Sequence, residues 1–124
     1  EEKLINWVKK NQIKNKSFVL NEELKGSKKA ILNYIVIKRL KNYSFIQVEL
    51  ETGRHHQIRC QIGYRGFPIK GDLKYGSKRS NKNSCIYLHS RQLKLLHPVT
   101  KKKLIFVARC PKDSLWEFCE EVSF

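Results

Sequence analysis

One segment in the middle of the chain, residues 43–62, constrains the fold more than any other. Apolar and polar side chains alternate over residues 45–50, which predicts a β-strand with one buried face. A turn of small residues follows at 52–53, and a helix is expected to begin there. Ile58 and Ile62 lie four residues apart, so a helix places both on the face toward the sheet. The chain is therefore expected to pack a helix against a β-sheet.

The expected helix opens on basic and titratable side chains, namely Arg54, His55, His56 and Arg59. A helix N-terminus offers unpaired N–H groups and about half a positive charge, so this element is suited to hold an anion. The alternative is an ordinary solvated basic face. A histidine pair that binds a metal on a helix needs a spacing of four, and adjacent histidines diverge by about 100°. No metal site is expected here.

Short strands are predicted for much of the remaining chain. Residues 30–40 are rich in β-branched and aromatic side chains and should form an antiparallel hairpin with residues 45–50. The helix that follows this hairpin should end at Gly66. Further short strands are expected at residues 17–20, 86–88, 92–96 and 103–108, with a turn at 97–100.

The two ends of the chain are expected to differ from this pattern. Leu4, Ile5 and Val8 predict a helix-like or irregular segment in a partly irregular lead-in, residues 1–29. Ser114 and Glu117 match a capping box, so a terminal helix is predicted from Ser114 to about Glu121, with Leu115 and Phe118 facing inward. Residues 76–85 form a polar, basic segment that is expected to be a flexible loop. The predicted fold is α+β, a mostly antiparallel sheet with two or three short helices in a single domain or subdomain, residues 1–124.

Charge restricts the class of partner. Lys+Arg 26 minus Asp+Glu 11 gives a net charge of +15, which favours a polyanion, either nucleic acid or an acidic membrane surface. The membrane alternative is disfavoured because no apolar run approaches about 20 residues and no secretory signal is visible. The four cysteines form no C-x-x-C pair, so a zinc site is not expected. We expect them to be reduced thiols in a cytoplasmic protein.

Three segments, 52–59 (TGRHHQIR), 66–76 (GFPIKGDLKYG) and 88–98 (LHSRQLKLLHP), occur in that order. Together they resemble the RluA-like family of RNA pseudouridine synthases, whose catalytic domains end with TGRxHQIR, GxPIxGDxxYG and LHAxxLxFxHP segments. The resemblance implies a cytoplasmic enzyme that isomerises uridine to pseudouridine in ribosomal or transfer RNA without a metal or organic cofactor. It also implies that the fold is the C-terminal part of the family's catalytic domain.

The resemblance assigns a catalytic role to Arg59 and a pocket role to Ile58. In the family, the arginine that ends the HQIR segment pairs with the aspartate nucleophile, and the isoleucine before it lines the uracil pocket. Arginine suits this task because an adjacent guanidinium keeps a carboxylate ionised. The nucleophile belongs to an HRLDxxTSG-like segment, followed by a tyrosine on a YxAxV-like strand, and neither is recognised in this chain. Asp72, inside the GDxxYG match, is expected to bond neighbouring backbone N–H groups instead.

The chain is consequently expected to be a fragment that is inactive alone and whose partner is the missing N-terminal half of the same domain. It contains no methionine, which agrees with that expectation. RNA contacts are predicted for Arg54, His55, Gln57, Lys70, Lys74 and Tyr75. His56 is expected to be structural and bonded to backbone groups, and a core role is an equal alternative for Tyr75. The rival function is a non-catalytic basic RNA-binding module derived from the same fold.

Overall fold

The computed structural model describes residues 1–123, which form two compact units. The first unit spans Glu1–Tyr87, and the second begins at Leu88. The described residues fold into antiparallel strands and two α-helices, which confirms the predicted α+β class. Within residues 1–123, no helix is long and apolar enough to cross a membrane.

Four antiparallel strands form the sheet of the first unit, in the spatial order β2-β1-β3-β4. Their bounds are β1 Glu2–Asn11, β2 Lys16–Leu20, β3 Lys28–Arg39 and β4 Ser44–Leu50. The predicted hairpin of β3 and β4 is confirmed, with a register shift between Val36 and Lys38. Ile46 and Val48 pack against the core as the alternation predicted, whereas Leu50 is 51% exposed and does not.

The helix-like or irregular interpretation of the N-terminus is wrong, because residues 2–11 form strand β1. Leu4 and Val8 are both buried, as their spacing suggested. A spacing of four places two side chains on one face of a helix, but an even spacing also places them on one face of a strand. Pairing with β3, which sets Leu4 opposite Leu32, is what fixes the strand.

One face of this sheet is covered by helix α1, Gln57–Tyr64, and by a short 3-10 turn, Leu73–Tyr75. The buried core consists of apolar side chains from the sheet and from α1. Its two clusters are Leu4, Leu32 and Ile62, and Val8, Ala30 and Cys60. Ile62 is buried and Ile58 packs beside it, so the predicted inward face of the helix is confirmed.

The helix begins later than the sequence predicted. Arg54 and His55 precede α1, and His56 is its N-cap residue, with a left-handed backbone at φ 50. Three of the four basic or titratable groups therefore lie in the turn before the helix rather than on its first turns. The predicted end is confirmed, since α1 stops at Tyr64 and Gly66 follows with φ +100.

The second unit contains a two-stranded antiparallel hairpin and a helix. The strands are β5 Gln92–Leu96 and β6 Lys103–Val107, and the helix is α2 Ser114–Ser123, all of which the sequence predicted. The strand expected at 86–88 is wrong, because these residues form no sheet ladder in the structure.

The start of α2 differs in detail from the predicted capping box. The Asp113 carboxylate, rather than Ser114, caps the helix by accepting hydrogen bonds from the backbone N–H groups of Leu115 at 2.9 Å and Trp116 at 3.4 Å. Phe118 is 37% exposed, so it does not face inward as expected.

Candidate active site around Arg59

The first unit contains a bidentate ion pair between Arg59 of α1 and Asp72. Arg59 Nε donates to Asp72 Oδ2 at 2.9 Å, and Nη2 donates to Oδ1 at 2.8 Å. The Asp72 side chain is 1% exposed and that of Arg59 is 21% exposed. The hydrogen bonds from Arg59 to this carboxylate raise the pKa of the guanidinium. The expectation that Asp72 bonds backbone N–H groups is therefore wrong, since its carboxylate holds Arg59.

Two glycines allow α1 and the 3-10 turn to approach each other this closely. A Cβ on Gly63 would lie 2.8 Å from the Tyr75 carbonyl oxygen, so only glycine lets that turn pack on α1. Gly71, directly before Asp72, has φ +86, and a side chain there would overlap the Asn81 side-chain amide. Both glycines thus fix where Asp72 can present its carboxylate.

His56 contacts the outer part of the same guanidinium. Its Nε2 lies 3.2 Å from Arg59 Nη1, and its Nδ1 lies 2.8 Å from the Tyr75 hydroxyl oxygen. A guanidinium N–H only donates, so Nε2 must accept and the proton of the ring resides on Nδ1. Burial, followed by the positive charge of Arg59, lowers the pKa of His56 to about 4. The ring is therefore neutral and orients the arginine, so His56 is structural as predicted but bonds side chains rather than the predicted backbone groups.

Tyr75 contacts both Arg59 and the sheet. Its hydroxyl oxygen lies 2.9 Å from the Ser17 backbone N–H, which donates to it, and it also accepts from His56. The Arg59 guanidinium lies over its ring at 4.9 Å, and the ring packs against the core cluster of Val8. Burial raises the pKa of the Tyr75 hydroxyl. Both the hydroxyl and the ring are engaged inside the protein, which favours the core alternative over base stacking.

His55 is tied to strand β2. The Ser17 hydroxyl donates to the His55 carbonyl at 2.8 Å, so its oxygen accepts from His55 Nδ1, also at 2.8 Å. The ring stacks on His56 with centroids 3.8 Å apart. Burial is the main cause that lowers the pKa of His55. The side chain is half-buried, so any RNA contact would reach only part of it.

Gln57 is buried, so its predicted contact with RNA would require the turn before α1 to open. Its Oε1 accepts from the Thr52 hydroxyl at 2.7 Å and from the Arg54 backbone N–H at 2.9 Å. Its Nε2 donates to the Ile31 carbonyl at 3.1 Å. The side chain is 3% exposed and pins the turn before α1 to strand β3.

The remaining predicted residues surround this cluster without joining it. Arg54 Nε donates to the Lys29 carbonyl at 2.9 Å, and Lys74 Nζ donates to the Asn15 carbonyl at 3.0 Å. Lys70 Nζ donates to Asn81 Oδ1 at 2.6 Å, beside the turn that carries Asp72. Ile58 is half-buried against the core, so a wall of a pocket and a core position remain compatible.

The sequence missed the partnership of Asp72 with Arg59 and the anchoring roles of Ser17 and Gly63. The GDLKYG segment placed Asp72 and Tyr75 three residues apart, which was a usable signal that both serve one site. Within residues 1–123, no three metal-ligating side chains come together in a group that could hold a metal ion.

The arrangement presents one cation in a fixed orientation. Asp72 takes the edge of the guanidinium formed by Nε and Nη2. A guanidinium has five N–H donors, so Arg59 keeps donors on Nη1 and Nη2 beyond those this carboxylate uses. Because its side chain is partly exposed, Arg59 can hold a second anion while Asp72 holds it.

Comparisons with known proteins identify the class to which this antiparallel α+β unit and its arginine cluster belong. A family model described as RNA pseudouridylate synthase matches residues 1–63. A ribosomal large subunit pseudouridine synthase D of Buchnera aphidicola is 34% identical over 125 residues, covering 90% of this chain and 38% of that protein. An uncharacterized RNA pseudouridine synthase of Bacillus subtilis is 36% identical over 89 residues, covering 72% of this chain and 29% of that protein.

The chain belongs to the RNA pseudouridylate synthase family. An uncharacterized RNA pseudouridine synthase of Chloroflexus aurantiacus is 40% identical over 82 residues, covering 65% of this chain and 26% of that protein. The chain thus spans about a third of the length of the relatives it matches, 38% of the first and 29% of the second.

Proposed function

We propose that this chain supplies the arginine-bearing part of an RNA pseudouridine synthase active site. Together with a segment that carries the aspartate nucleophile, it would isomerise uridine to pseudouridine in RNA. The observation that carries the proposal is the Arg59 guanidinium, fixed by Asp72 on one edge and still able to donate from the other.

Arg59 would hold the nucleophilic carboxylate in its ionised form. An opposite charge within about 4–6 Å lowers a carboxylate pKa by about 1–3 units, so a nucleophile beside this guanidinium stays deprotonated at neutral pH. Asp72 and neutral His56 would keep Arg59 from turning away, so the nucleophile meets a donor that is already oriented. Ile58 would form part of the wall against which the uracil ring lies.

The nucleophile would come from outside these residues. Asp72 is 1% exposed and already accepts two hydrogen bonds from Arg59. Asp113, the other aspartate of the chain, caps helix α2 in the second unit. Neither carboxylate is placed to attack a nucleotide.

The substrate would be ribosomal or transfer RNA, and the Buchnera relative, named a large-subunit ribosomal enzyme, favours ribosomal RNA. The high positive charge supports binding to either polyanion. The proposed compartment is the cytoplasm, where the free thiols of Cys60, Cys85 and Cys110 would stay reduced.

Tritium release from RNA labelled at uridine C5 tests this function, because forming the new glycosidic bond at C5 expels that hydrogen. The chain is assayed alone and joined to an upstream segment that bears an HRLD-like motif, on ribosomal and transfer RNA separately. Release that requires this segment and disappears in Arg59→Ala supports the proposal.

Arg59→Lys is the matched variant, because it keeps the charge but loses the planar fork. We expect it to retain RNA binding and to release little tritium. Salt-sensitive RNA binding without release in either form would favour the non-catalytic binding module. Release from the chain alone would contradict a nucleophile from outside these residues.

A further inference from the structure

Two ammonium groups lie over a partly exposed aromatic ring on strand β2. Phe18 is 37% exposed, although its side chain is large and apolar. Lys16 Nζ lies 5.2 Å and Lys14 Nζ 5.8 Å from the centre of its ring. Within residues 1–123, neither lysine pairs with a carboxylate, so both charges remain available to an anion. An exposed ring bordered by unneutralised cations suits a nucleotide, which has a flat base and a charged phosphate.

Lys16 connects this ring to the arginine cluster. Its Nζ also lies 5.3 Å from the centre of the Tyr75 ring, over which the Arg59 guanidinium lies at 4.9 Å. The next residue, Ser17, donates its backbone N–H to the Tyr75 hydroxyl. Strand β2 is at the edge of the sheet, and Phe18 alternates with Ser17 and Val19, which face α1. Lys16 therefore links the face that carries Arg59 to the face that carries Phe18 around this edge.

A shallow groove of about 320 Å³ extends the surface across the β1–β2 hairpin. Its lining residues are Lys9, Lys10, Asn11, Phe18 and Leu20. Lys9 is directly opposite Phe18 in the register of the two strands, so both side chains line the same groove. Charge complementarity therefore points to a polyanion rather than to an apolar partner.

We infer that the β1–β2 hairpin docks the single-stranded RNA that flanks the target nucleotide, with one unstacked base on Phe18 and phosphates at Lys14 and Lys16. This inference rests on the proposed function, because it names the surface by which that enzyme would hold its substrate. Stacking of a base on an aromatic ring tolerates any sequence, while the lysines contribute a salt-dependent attraction.

Fluorescence anisotropy with a labelled twelve-nucleotide single-stranded RNA tests the surface, using the full chain and measuring Kd at several salt concentrations. Phe18→Leu should weaken binding roughly ten-fold because a stacked base is lost. Phe18→Trp keeps a stacking surface and should bind at least as tightly as the unmodified chain. The double variant Lys14→Gln/Lys16→Gln should reduce the slope of log Kd against log salt by about 1.4, the value for two phosphate contacts on a single strand.

The matched control is Lys101→Gln/Lys102→Gln, which removes the same charge from exposed positions in the second unit. We expect its Kd to stay within about two-fold of the unmodified chain, since these two lysines are not part of the β1–β2 hairpin. Unchanged binding by Phe18→Leu, or an equal loss in both lysine pairs, would overturn the inference.

The binding assay needs no nucleophile and no turnover, so it separates this inference from the proposed function. If Phe18→Leu lowers the RNA affinity and the complemented chain releases no tritium, the docking surface is supported and only the proposed function is contradicted. Tritium release with unchanged affinity in Phe18→Leu would overturn only the docking surface.

Discussion

Asp72 and Arg59 are 13 residues apart in sequence, and their side chains meet in a bidentate ion pair. The carboxylate is almost completely buried while the guanidinium keeps contact with solvent. A buried charge of this kind is tolerated because both of its oxygens are hydrogen-bonded. The pair therefore fixes the arginine and at the same time closes the turn that follows α1.

Asp72→Asn should lower the free energy of unfolding by about 2–3 kcal/mol, since it weakens charge-assisted hydrogen bonds at a buried position. Equilibrium urea unfolding measures this change. Tritium release by the complemented enzyme should fall more steeply than RNA affinity, because Arg59 loses its orientation but keeps its charge.

Asp113→Asn is the control for that substitution, since it makes the same chemical change at the other aspartate. Asparagine caps a helix about as well as aspartate, so α2 should lose only a few tenths of a kcal/mol. Equal losses of stability in the two variants would contradict a special role for the Asp72–Arg59 pair.

Local patterns were sufficient for the β3–β4 hairpin, for the inward face of α1 and for the terminal helix. They were insufficient where a contact between distant residues decides the outcome. The spacing of Leu4 and Val8 fits a helix or a strand equally, and only pairing with β3 selects the strand. Gln57 is buried by a contact with Ile31, 26 residues earlier, and a local pattern cannot indicate such a contact.

The site was predicted only in part, because it too depends on contacts between distant residues. The motif resemblance selected Arg59, but spacing gave no sign that Asp72 would reach it. That approach depends on Gly63 and Gly71, whose missing side chains leave room for the Tyr75 backbone and the Asn81 amide. The space that a glycine leaves for a distant residue cannot be predicted from the periodicity of one segment.

His56 should titrate far below an ordinary histidine, with a midpoint near pH 4 rather than 6.5. Between these values the unfolded chain binds more protons than the folded chain, so stability falls as pH is lowered through the window and levels off below it. The loss should be about 1–2 kcal/mol, allowing for the ring's partial exposure.

NMR titration of the His56 ring gives its midpoint directly, and nitrogen chemical shifts report the proton on Nδ1. In His56→Gln, the difference in unfolding free energy between pH 7 and pH 5 should be smaller than in the unmodified chain. A midpoint near 6.5 would mean that burial and Arg59 do not hold the ring in its neutral form.

Gly71→Ala should destabilise the first unit by about 1–3 kcal/mol, since a residue with a side chain is strained at φ +86 and meets Asn81. Gly53→Ala is the matched control, because a Cβ there has no neighbour within 4 Å. Thermal unfolding compares the two. Because Asp72 follows directly, Gly71→Ala should also reduce tritium release. Unchanged stability and unchanged tritium release in Gly71→Ala would show that the turn has another way to accommodate a side chain.

Gln57→Ala separates a structural role from an RNA contact at the start of α1. The variant leaves the Arg54 N–H without its partner and removes one donor to the Ile31 carbonyl, which should cost about 1–3 kcal/mol of unfolding free energy. The salt dependence of RNA binding should not change under conditions where the variant is folded, because Gln57 carries no charge and is 3% exposed. Arg54→Gln is the comparison, since it removes a positive charge from the same turn and should reduce that salt dependence. Weaker RNA binding by a fully folded Gln57→Ala would mean that this turn opens to meet the RNA.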